Sequence, residues 1–496
     1  MNYITSYDIN IYLLEFYLFF SLCLILLFGV IFNSNKKKGH PIMIYIINFL
    51  VIQIVIFGLL IQQNNAIIIM KSWNNMLISN LYISNLKTII ILVFLSWLFL
   101  SLFYIKEESI TSFEYNILTT LGVIGTLFVL QANDLLSIYL SIEFQNLVFY
   151  ILVSFKRTSE FSTEASLKYF ILGSFSSSLF LLGSSFLYTI TGITNFEQFT
   201  QLITGFSEYN VFFSFAVITS ILFMLSGILF KLGAAPFHVW LPDVYEGGPT
   251  ITTVFLILMP KISLVILLFK ILILSFQDYF YFFEKILILA GILSLFLGAS
   301  GALNQVKWKK FIAYSSITNI GFILFGYLSN NNFSFFCIIF YTLIYLITTI
   351  ALFSFVISFR KKNFFKSYQL RYINDIIGLS ILNPVLSLTQ TTVFFSVAGI
   401  PPFIGFFAKS FILLDMLQNQ IYGTSILVIL LSCVTCFYYI RVIKTLYFVK
   451  TKRLPFFKHI ENLLSLLISV VFFFLTLTFL ELDFISLFLQ KLTIDL

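Results

Sequence analysis

Ionisable side chains inside long apolar stretches are the residues of this sequence best placed to do chemistry. Glu143 lies in the middle of DLLSIYLSIEFQNLVFYIL, and three lysines lie in or beside interruptions of other apolar stretches, namely Lys231, Lys261 and Lys409. A charge at the centre of a bilayer is costly, so its helix must face a partner or a water-filled cavity. Because a buried lysine exchanges its proton readily, gaining or losing Glu143 as a counter-ion can load or unload a proton. These residues predict transport of protons or cations, with a structural salt bridge as the alternative.

Four other basic residues lie within apolar stretches or at their ends. Lys168, in the sixth stretch, either modulates the pair of Glu143 or anchors its helix at the membrane interface. Arg441 and Lys444 lie near a helix end, so we expect their charged groups to snorkel to the surface. Lys270 fits a structural role and a transport role equally well.

Prolines interrupt two of the apolar stretches, GILFKLGAAPFHVWLP at Pro236 and SVAGIPPFIGFFAKSF at Pro401 and Pro402. Proline removes a backbone donor and clashes with the preceding turn, so both helices should break there. Freed backbone groups are tolerated inside a membrane only where protein or water satisfies them. Each break has a lysine close by, Lys231 before the first and Lys409 after the second. We therefore expect both breaks to line a polar pathway.

The elements that position these residues are membrane helices. The chain has 496 residues, of which 59% are hydrophobic and 10% charged, and a mean hydropathy of +1.01, which is too apolar for one soluble core. The apolar stretches lack the alternation of a membrane barrel. We predict an all-α polytopic membrane protein with about fourteen transmembrane helices. The predicted spans are 11–32, 42–62, 82–105, 113–131, 134–154, 165–190, 211–231, 250–276, 280–301, 311–328, 333–359, 379–416, 422–448 and 462–488.

The two breaks indicate an internal repeat. Pro402 follows Pro236 by 166 residues, and the same offset carries the start of the fourth span, at 113, to the start of the ninth. Paired broken helices in corresponding positions are typical of inverted repeats. We therefore predict two inverted five-helix repeats at 113–276 and 280–448. Three transmembrane helices in 1–112 precede them, and one in 449–496 follows.

Loop charges predict the orientation. Lys and Arg are concentrated in the odd-numbered connections, whereas the even-numbered connections and both termini hold Lys71, Lys87, Lys285 and Lys491. The positive-inside rule places the odd-numbered connections on the inner side and both termini on the outer side. The connection 232–249 is an exception, because it holds acidic residues and no Lys or Arg.

Several function classes are excluded by composition. The basic residues lie in short loops without a soluble domain, so we expect no nucleic-acid partner. The four cysteines lie in or beside apolar segments, and the pair Cys433 and Cys436 is interpreted as packing thiols. Without a Gly-rich dinucleotide loop, a cysteine cluster or a histidine pair, we expect neither a cofactor nor a metal in this chain. The abundance of Phe and Ile indicates an AT-rich organellar genome, and no secretory signal is recognised.

Four segments carry a family resemblance. KLGAAPFHVWLPDVYEGGPT (231–250) resembles the most characteristic stretch of the antiporter-like subunits of respiratory complex I, which are related to multisubunit sodium/proton antiporters. AGIPPFIGFFAKSFIL (398–413), KKFIAYSSITNIGFILFG (309–326) and LKYFILGSFSSSLFLLGSSFLYTITGI (167–193) resemble the same family in the same order. The resemblance spans residues 115–450.

The resemblance implies a role for each candidate residue. Glu143 with Lys231 would be the coupling ion pair, Lys261 the central relay and Lys409 the exit-side lysine. Lys168 and His238 would be nearby relay or gating groups, although a structural histidine is as compatible with the sequence.

The resemblance also implies partners and a location. The chain would be a proton-translocating subunit of NADH:ubiquinone reductase, with NAD, FMN and iron–sulfur clusters in partner subunits and ubiquinone as the substrate of the complex. Its partners would be other membrane-arm subunits, including antiporter-like paralogues, and lipids such as cardiolipin, in the mitochondrial inner membrane. The alternatives are a subunit of a cation/proton antiporter without a redox arm, and a scaffold whose charges only hold helices together.

Two residues depart from the family pattern. Asn319 stands where many relatives have a histidine, and it cannot carry a proton, so the lateral path would depend on water or on Lys310. Ile251 stands where a second proline is usual, so the start of span eight is expected to be less constrained.

Overall fold

The computed structural model describes residues 12–32, 41–64, 70–108, 110, 112–206, 211–329, 331–363, 366–449 and 457–494. Almost all of them are helical. In chain order the elements are α1 (Leu13–Phe32), α2 (Pro41–Asn64), β1 (Met70–Ser72), β2 (Leu77–Ser79), α3 (Leu81–Glu108), α4 (Glu114–Gln131), α5 (Leu135–Val153), α6 (Glu160–Thr191), α7 (Phe196–Phe206), α8 (Val211–Leu232), α9 (Trp240–Gly247), α10 (Thr250–Phe269), α11 (Phe280–Asn304), α12 (Trp308–Phe325), α13 (Asn332–Ser358), β3 (Arg360–Asn363), β4 (Lys366–Gln369), α14 (Leu379–Leu382), α15 (Pro384–Ala398), α16 (Ile404–Gln418), α17 (Tyr422–Tyr447), α18 (Asn462–Leu477) and α19 (Leu482–Ile494).

Local sequence signals set several helix ends. Asp134 and Ser137 form a capping box at the start of α5, which satisfies backbone N–H groups that the first turn leaves free. Asn383 caps α15, and Pro384 occupies the first helical position, where its missing N–H costs nothing. Gly192 ends α6 in the left-handed region, with φ at 69°.

The prediction of an all-α polytopic membrane protein is confirmed. Within the described ranges, ten helices are long and apolar enough to cross a membrane. Each of the fourteen predicted spans contains helix, but four do not form a single helix that is long and apolar enough to cross a membrane. α4 and α12 carry many Thr, Ser, Asn and Gly residues, and the predicted spans 379–416 and 462–488 are each divided into shorter helices.

The chain divides into two compact units. Unit 1 comprises the described parts of Met1–Leu232 together with Gly247–Phe283, and unit 2 comprises Gly233–Glu246 and Glu284–Ile494. The division at Phe283 is near the predicted start of the second repeat at 280. The three N-terminal helices belong to unit 1, and the segment that contains Pro236 belongs to unit 2. The inverted repeat itself stays a prediction.

Helix α10 is the innermost element of unit 1. It contacts α3, α4, α5 and α8, and its membrane-spanning stretch is buried on all sides. Its start, which Ile251 was expected to leave less constrained, is fixed by Trp97, whose indole N–H donates to the Ile251 carbonyl over 3.0 Å. The Trp97 ring also packs on Phe255 with centroids 4.9 Å apart. Lys261, a candidate site residue, therefore lies on a helix that is buried on all sides and held at its start.

Both predicted breaks are confirmed. α8 ends at Leu232 and α9 begins at Trp240, while α15 ends at Ala398 and α16 begins at Ile404. A glycine directly follows the helix before each break, Gly233 after α8 and Gly399 after α15. Both glycines have φ at 79°. Such angles favour glycine because other residues place Cβ against the backbone. The peptide bonds before Pro236 and Pro402 are both cis.

Candidate functional site

Glu143 and Lys231 form an ion pair within unit 1. Glu143 is the ninth residue of α5, at its midpoint, and Lys231 lies in the last turn of α8. Glu143 Oε1 lies 3.6 Å from Lys231 Nζ, and the side chains are 25% and 8% exposed respectively. Among the described residues, Lys231 Nζ has no hydrogen-bond partner, so this ionic contact is its stabilising interaction. The pair that the sequence and the resemblance predicted is therefore present, but its contact is loose.

Glu143 lies at the edge of an exposed apolar stripe on α5. Residues at helical spacing along this stripe are exposed, namely Leu136, Leu140, Phe144, Leu147 and Ile151. Within the helix, the side-chain amide of Asn146 donates to Glu143 Oε1 over 3.4 Å. A carboxylate at this depth is too costly to leave against lipid. Glu143 is therefore accessible from outside the chain at the edge of this stripe.

Lys261 lies at the centre of α10 and is 4% exposed. Pro260 precedes it inside the helix, so the carbonyl four residues before Pro260 receives no helical N–H. This interruption lies directly beside Lys261 in the chain. The structure thus buries Lys261 where the sequence predicted, within unit 1.

Lys409 lies on α16 of unit 2 and is 8% exposed. Its Nζ donates to the carbonyl of Ala398, the last residue of α15, over 2.9 Å. It also lies 4.9 Å from the centroid of the Phe322 ring. A Cβ on Gly399 would approach Lys409 Cδ to 2.8 Å, so glycine at this position leaves room for the lysine. The broken end of α15, with its free carbonyls and negative dipole end, is therefore the binding site of this ammonium.

A small cavity of about 20 Å³ adjoins Lys409 and is large enough for one water molecule. Asn319, Tyr341, Tyr345 and Ser396 are among its lining residues. The Tyr341 hydroxyl donates to Asn319 Oδ1 over 3.0 Å. Asn319 therefore acts as a hydrogen-bond acceptor beside a water-sized space.

Acidic and basic residues cluster in unit 2 at the connection 232–249. Lys310 Nζ lies 3.1 Å from Glu246 and 3.7 Å from Asp243, and Lys307 donates to Glu246. Burial acts to raise the pKa of Glu246, but the hydrogen bonds and charges of Lys307 and Lys310 outweigh burial and hold it below its usual value. The cluster explains why this connection carries acids. It also engages Lys310, which was one candidate for the lateral path.

The other two candidate residues are Lys168 on α6 and His238 in the first break. Lys168 binds Glu164, one turn earlier on α6, over 2.8 Å, and both side chains are well exposed. This contact fits an interfacial anchor better than a modulator of Glu143. His238 lies between Pro236 and α9, half-buried, and its carbonyl accepts from the N–H of Leu241 over 3.0 Å.

A buried ion pair in unit 1 was missed by the sequence analysis. Lys87 Nζ lies 2.7 Å from Glu15 Oε1, and the two side chains are 3% and 1% exposed. The assignment of Lys87 to an outer connection was wrong, because Lys87 is the seventh residue of α3. Lys285, assigned in the same way, lies in α11. The signal available in the sequence was Glu15 itself, a carboxylate at the start of the first apolar stretch.

Two basic side chains cap helix ends, a role that the sequence did not reveal. Lys270 donates to the carbonyls of Leu130 and Ala132 at the end of α4. Arg441, which was expected to snorkel, is exposed and donates to the carbonyl of Leu303 at the end of α11. Cations are favourable at helix C-termini because the helix dipole is negative there. These contacts support a structural role for both Lys270 and Arg441.

Comparison with known proteins reveals a family of membrane subunits. Residues 132–436 match the family model described as NADH:quinone oxidoreductase/Mrp antiporter, TM. NADH-ubiquinone oxidoreductase chain 2 of Marchantia polymorpha is 36% identical over 94% of each chain. NADH-quinone oxidoreductase subunit N 1 of Rhizobium meliloti is 37% identical over 69% of this chain and 70% of its own.

Solved structures share the fold. A chain of respiratory complex I from Thermus thermophilus with bound aureothin has a TM-score of 0.77 at 20% identity, covering 95% of this chain and 98% of its own. A chain of the Mrp complex from Dietzia sp. DQ12-45-1b has a TM-score of 0.79 at 17% identity, covering 97% of each. At these sequence identities, the two comparisons show a shared fold and nothing beyond the fold.

Proposed function

The chain belongs to the family of NADH-ubiquinone oxidoreductase chain 2 and its bacterial counterpart, NADH-quinone oxidoreductase subunit N, and from this premise we propose that it translocates protons as a membrane-arm subunit of respiratory complex I. The observation that carries the proposal is the loose ion pair of Glu143 and Lys231 at mid-helix, with the carboxylate one-quarter exposed.

Movement of Glu143 would be the coupling step. A conformational change in a neighbouring subunit that contacts the α5 stripe draws Glu143 away from Lys231. Lys231 then holds its proton less tightly, because the opposite charge that stabilised the ammonium is gone. The ammonium has no hydrogen-bond partner among the described residues, so no other contact there compensates for the loss of Glu143.

Lys261 and Lys409 would carry the proton onward. Lys261 is buried beside a proline interruption, and Lys409 rests on the free carbonyl of Ala398. The carbonyl stabilises the ammonium form, and the water-sized cavity beside it gives the proton a way to reach or leave Lys409. The exit-side role of Lys409 and the order of transfer rest on the family resemblance.

The energy scale of the pair fits this task. Two unit charges 3.6 Å apart interact by about 4–5 kcal/mol at an effective dielectric constant of about 20. Moving one charge against a membrane potential requires about 2.3 kcal/mol per 100 mV. Rearranging one such pair is therefore of the right size to drive a proton across.

The complex would supply the redox chemistry. NAD, FMN and the iron–sulfur clusters would reside in partner subunits, and ubiquinone would be the substrate of the complex. Other membrane-arm subunits, including antiporter-like paralogues, would contact this chain, as would lipids such as cardiolipin. The similarity to chain 2 of plants supports a place in the mitochondrial inner membrane.

A cation/proton antiporter subunit is the second candidate, favoured by the fold shared with the Mrp complex. The two candidate functions predict different partner proteins in the purified assembly. Purification with flavin and iron–sulfur proteins supports complex I, whereas sodium-dependent transport without these proteins supports the antiporter.

The test is Glu143→Gln in the assembled complex, with Glu164→Gln as the matched control at an exposed carboxylate. In sealed vesicles we expect NADH oxidation by a soluble acceptor to stay normal in both variants, since that reaction bypasses the membrane arm. Proton translocation driven by quinone reduction should fall several-fold in Glu143→Gln alone. An unchanged proton yield in Glu143→Gln would refute the proposed function.

A further inference from the structure

A second buried ionisable group on α16 has no place in the steps above. Asp415 is 1% exposed and lies in the last turn of the helix. The hydroxyl of Ser329 donates to its Oδ2. Its Oδ1 is buried and has no hydrogen-bond partner among the described residues. No Lys or Arg there forms a salt bridge with it.

An ionised carboxylate is costly at this position. Burial removes water, and one hydroxyl donor leaves half of the acceptor capacity unused. The C-terminal turn of a helix also disfavours an anion, because the dipole is negative there. A purely structural acid would be expected to find more partners, so this carboxyl is suited to binding and releasing a proton.

Asp415 lies on the buried side of α16, as Lys409 does. The buried face of α16 includes Lys409, Ile412, Asp415 and Met416. Asp415 follows Lys409 by six positions, which is a rise of about 9 Å along the axis and about 120° around it, so water must bridge the two groups. Only three residues follow Asp415 before the helix ends at Gln418.

The surface lies just beyond Asp415. Asn419 follows α16, and its Oδ1 accepts from the side-chain amide of Asn331 at exposed positions 3.4 Å apart. Ser329, the partner of Asp415, lies in the same connection as Asn331. Both connections are even-numbered, so loop charges predict that they face the outer side.

We propose that Asp415 is the last proton-binding group between Lys409 and the outer surface. The proposal rests on the proposed function. An N–H bond of the Lys409 ammonium breaks, and the proton passes through transiently ordered water to form an O–H bond on the Asp415 carboxylate. Transfer to water at the surface restores the carboxylate, and no electrons are exchanged.

The experiment uses Asp415→Asn in the assembled complex, because asparagine keeps the shape and can still accept from Ser329. We expect proton translocation to fall several-fold, NADH oxidation by a soluble acceptor to stay normal, and Asp415→Glu to restore translocation. A second readout is infrared difference spectroscopy during turnover. The wild-type complex should show a carboxylic-acid C=O band that shifts in D2O, and this band should be missing in Asp415→Asn. A carboxylate that only accepts a structural hydrogen bond would not give such a band during turnover.

The outcomes separate this inference from the function on which it rests. If Glu143→Gln lowers translocation while Asp415→Asn pumps normally and keeps every carboxylic-acid band, the role of Asp415 is overturned alone. If both variants pump normally, the proposed function fails. Should Asp415→Asn not assemble, Ser329→Ala keeps the carboxyl and removes its donor. We then expect the same band to shift, and an unchanged spectrum would overturn the role of Asp415.

Discussion

Among the described residues of unit 1, two ion pairs of a glutamate and a lysine each join two membrane helices, and their geometry differs. Glu15 and Lys87 lie 2.7 Å apart with both side chains almost fully buried. Glu143 and Lys231 lie 3.6 Å apart, with the carboxylate 25% exposed. Glu15 is also near the start of its helix, whereas Glu143 is at the middle of α5.

The difference distinguishes a structural ion pair from one suited to coupling. Separating the tight, dry pair would leave two charges without water or partners, so this pair should stay closed. The looser pair has a carboxylate beside an exposed apolar stripe, so a neighbouring chain can reach it and a small movement can open it. Burial and access, rather than residue type, decide which pair can switch.

The largest expected effect comes from breaking the dry pair. Lys87→Met leaves Glu15 buried without a counter-charge, which should destabilise the protein by about 3–5 kcal/mol. We expect little assembled complex and a lower temperature of thermal inactivation. The double variant Glu15→Leu with Lys87→Met should recover most of the loss, because apolar replacement of a buried pair is often neutral. Normal assembly of Lys87→Met would remove the distinction between the pairs.

The same substitution at the second pair should affect function instead. Lys231→Met removes the counter-ion of Glu143, but Glu143 keeps the side-chain amide of Asn146 as a donor, so we expect a smaller loss of stability than in Lys87→Met. Proton translocation should fall several-fold at normal complex content, measured in sealed vesicles. A variant that assembles poorly but pumps normally per complex would place Lys231 with the structural pair.

The charge cluster of unit 2 gives a smaller effect with a defined pH dependence. Lys307 and Lys310 hold the pKa of Glu246 below its usual value. A lowered pKa contributes stability above the usual pKa of a glutamate, and this stability is lost as the pH falls through the folded-state pKa. Thermal stability should therefore decline in acid, and Glu246→Gln should weaken that decline at a cost of about 1 kcal/mol or less at neutral pH. An unaltered acid decline in the variant would assign it to other groups.

The smallest effect is expected at the exposed pair of Lys168 and Glu164. Lys168→Gln should change stability by less than about 0.5 kcal/mol, because solvent screens an exposed pair within one helix. Proton translocation should stay normal if Lys168 anchors its helix at the interface. A several-fold loss of proton translocation would show that Lys168, on α6, modulates the ion pair of Glu143 and Lys231.

Local features of the sequence predicted much of this molecule. Apolar stretches marked the helices, prolines marked both breaks, and Glu143, Lys231 and Lys409 stood out because a charge in an apolar stretch needs a partner. Lys87 was assigned to a connection although it lies within the predicted span 82–105, and its pairing was missed because Glu15 lies on a helix distant in sequence. The caps made by Lys270 and Arg441 likewise depend on which helix ends lie beside them. Such contacts arise from packing, which the order of residues does not reveal.

Charge reversal of the second pair tests the central claim most directly. Glu143→Lys combined with Lys231→Glu keeps an ion pair between α5 and α8 but removes the proton-carrying lysine from the end of α8. The measurement is the number of protons translocated per NADH oxidised by the assembled complex in sealed vesicles. Our account predicts normal assembly and a proton yield as low as that of Glu143→Gln. A restored yield would show that the pair only holds two helices together, and would contradict the account.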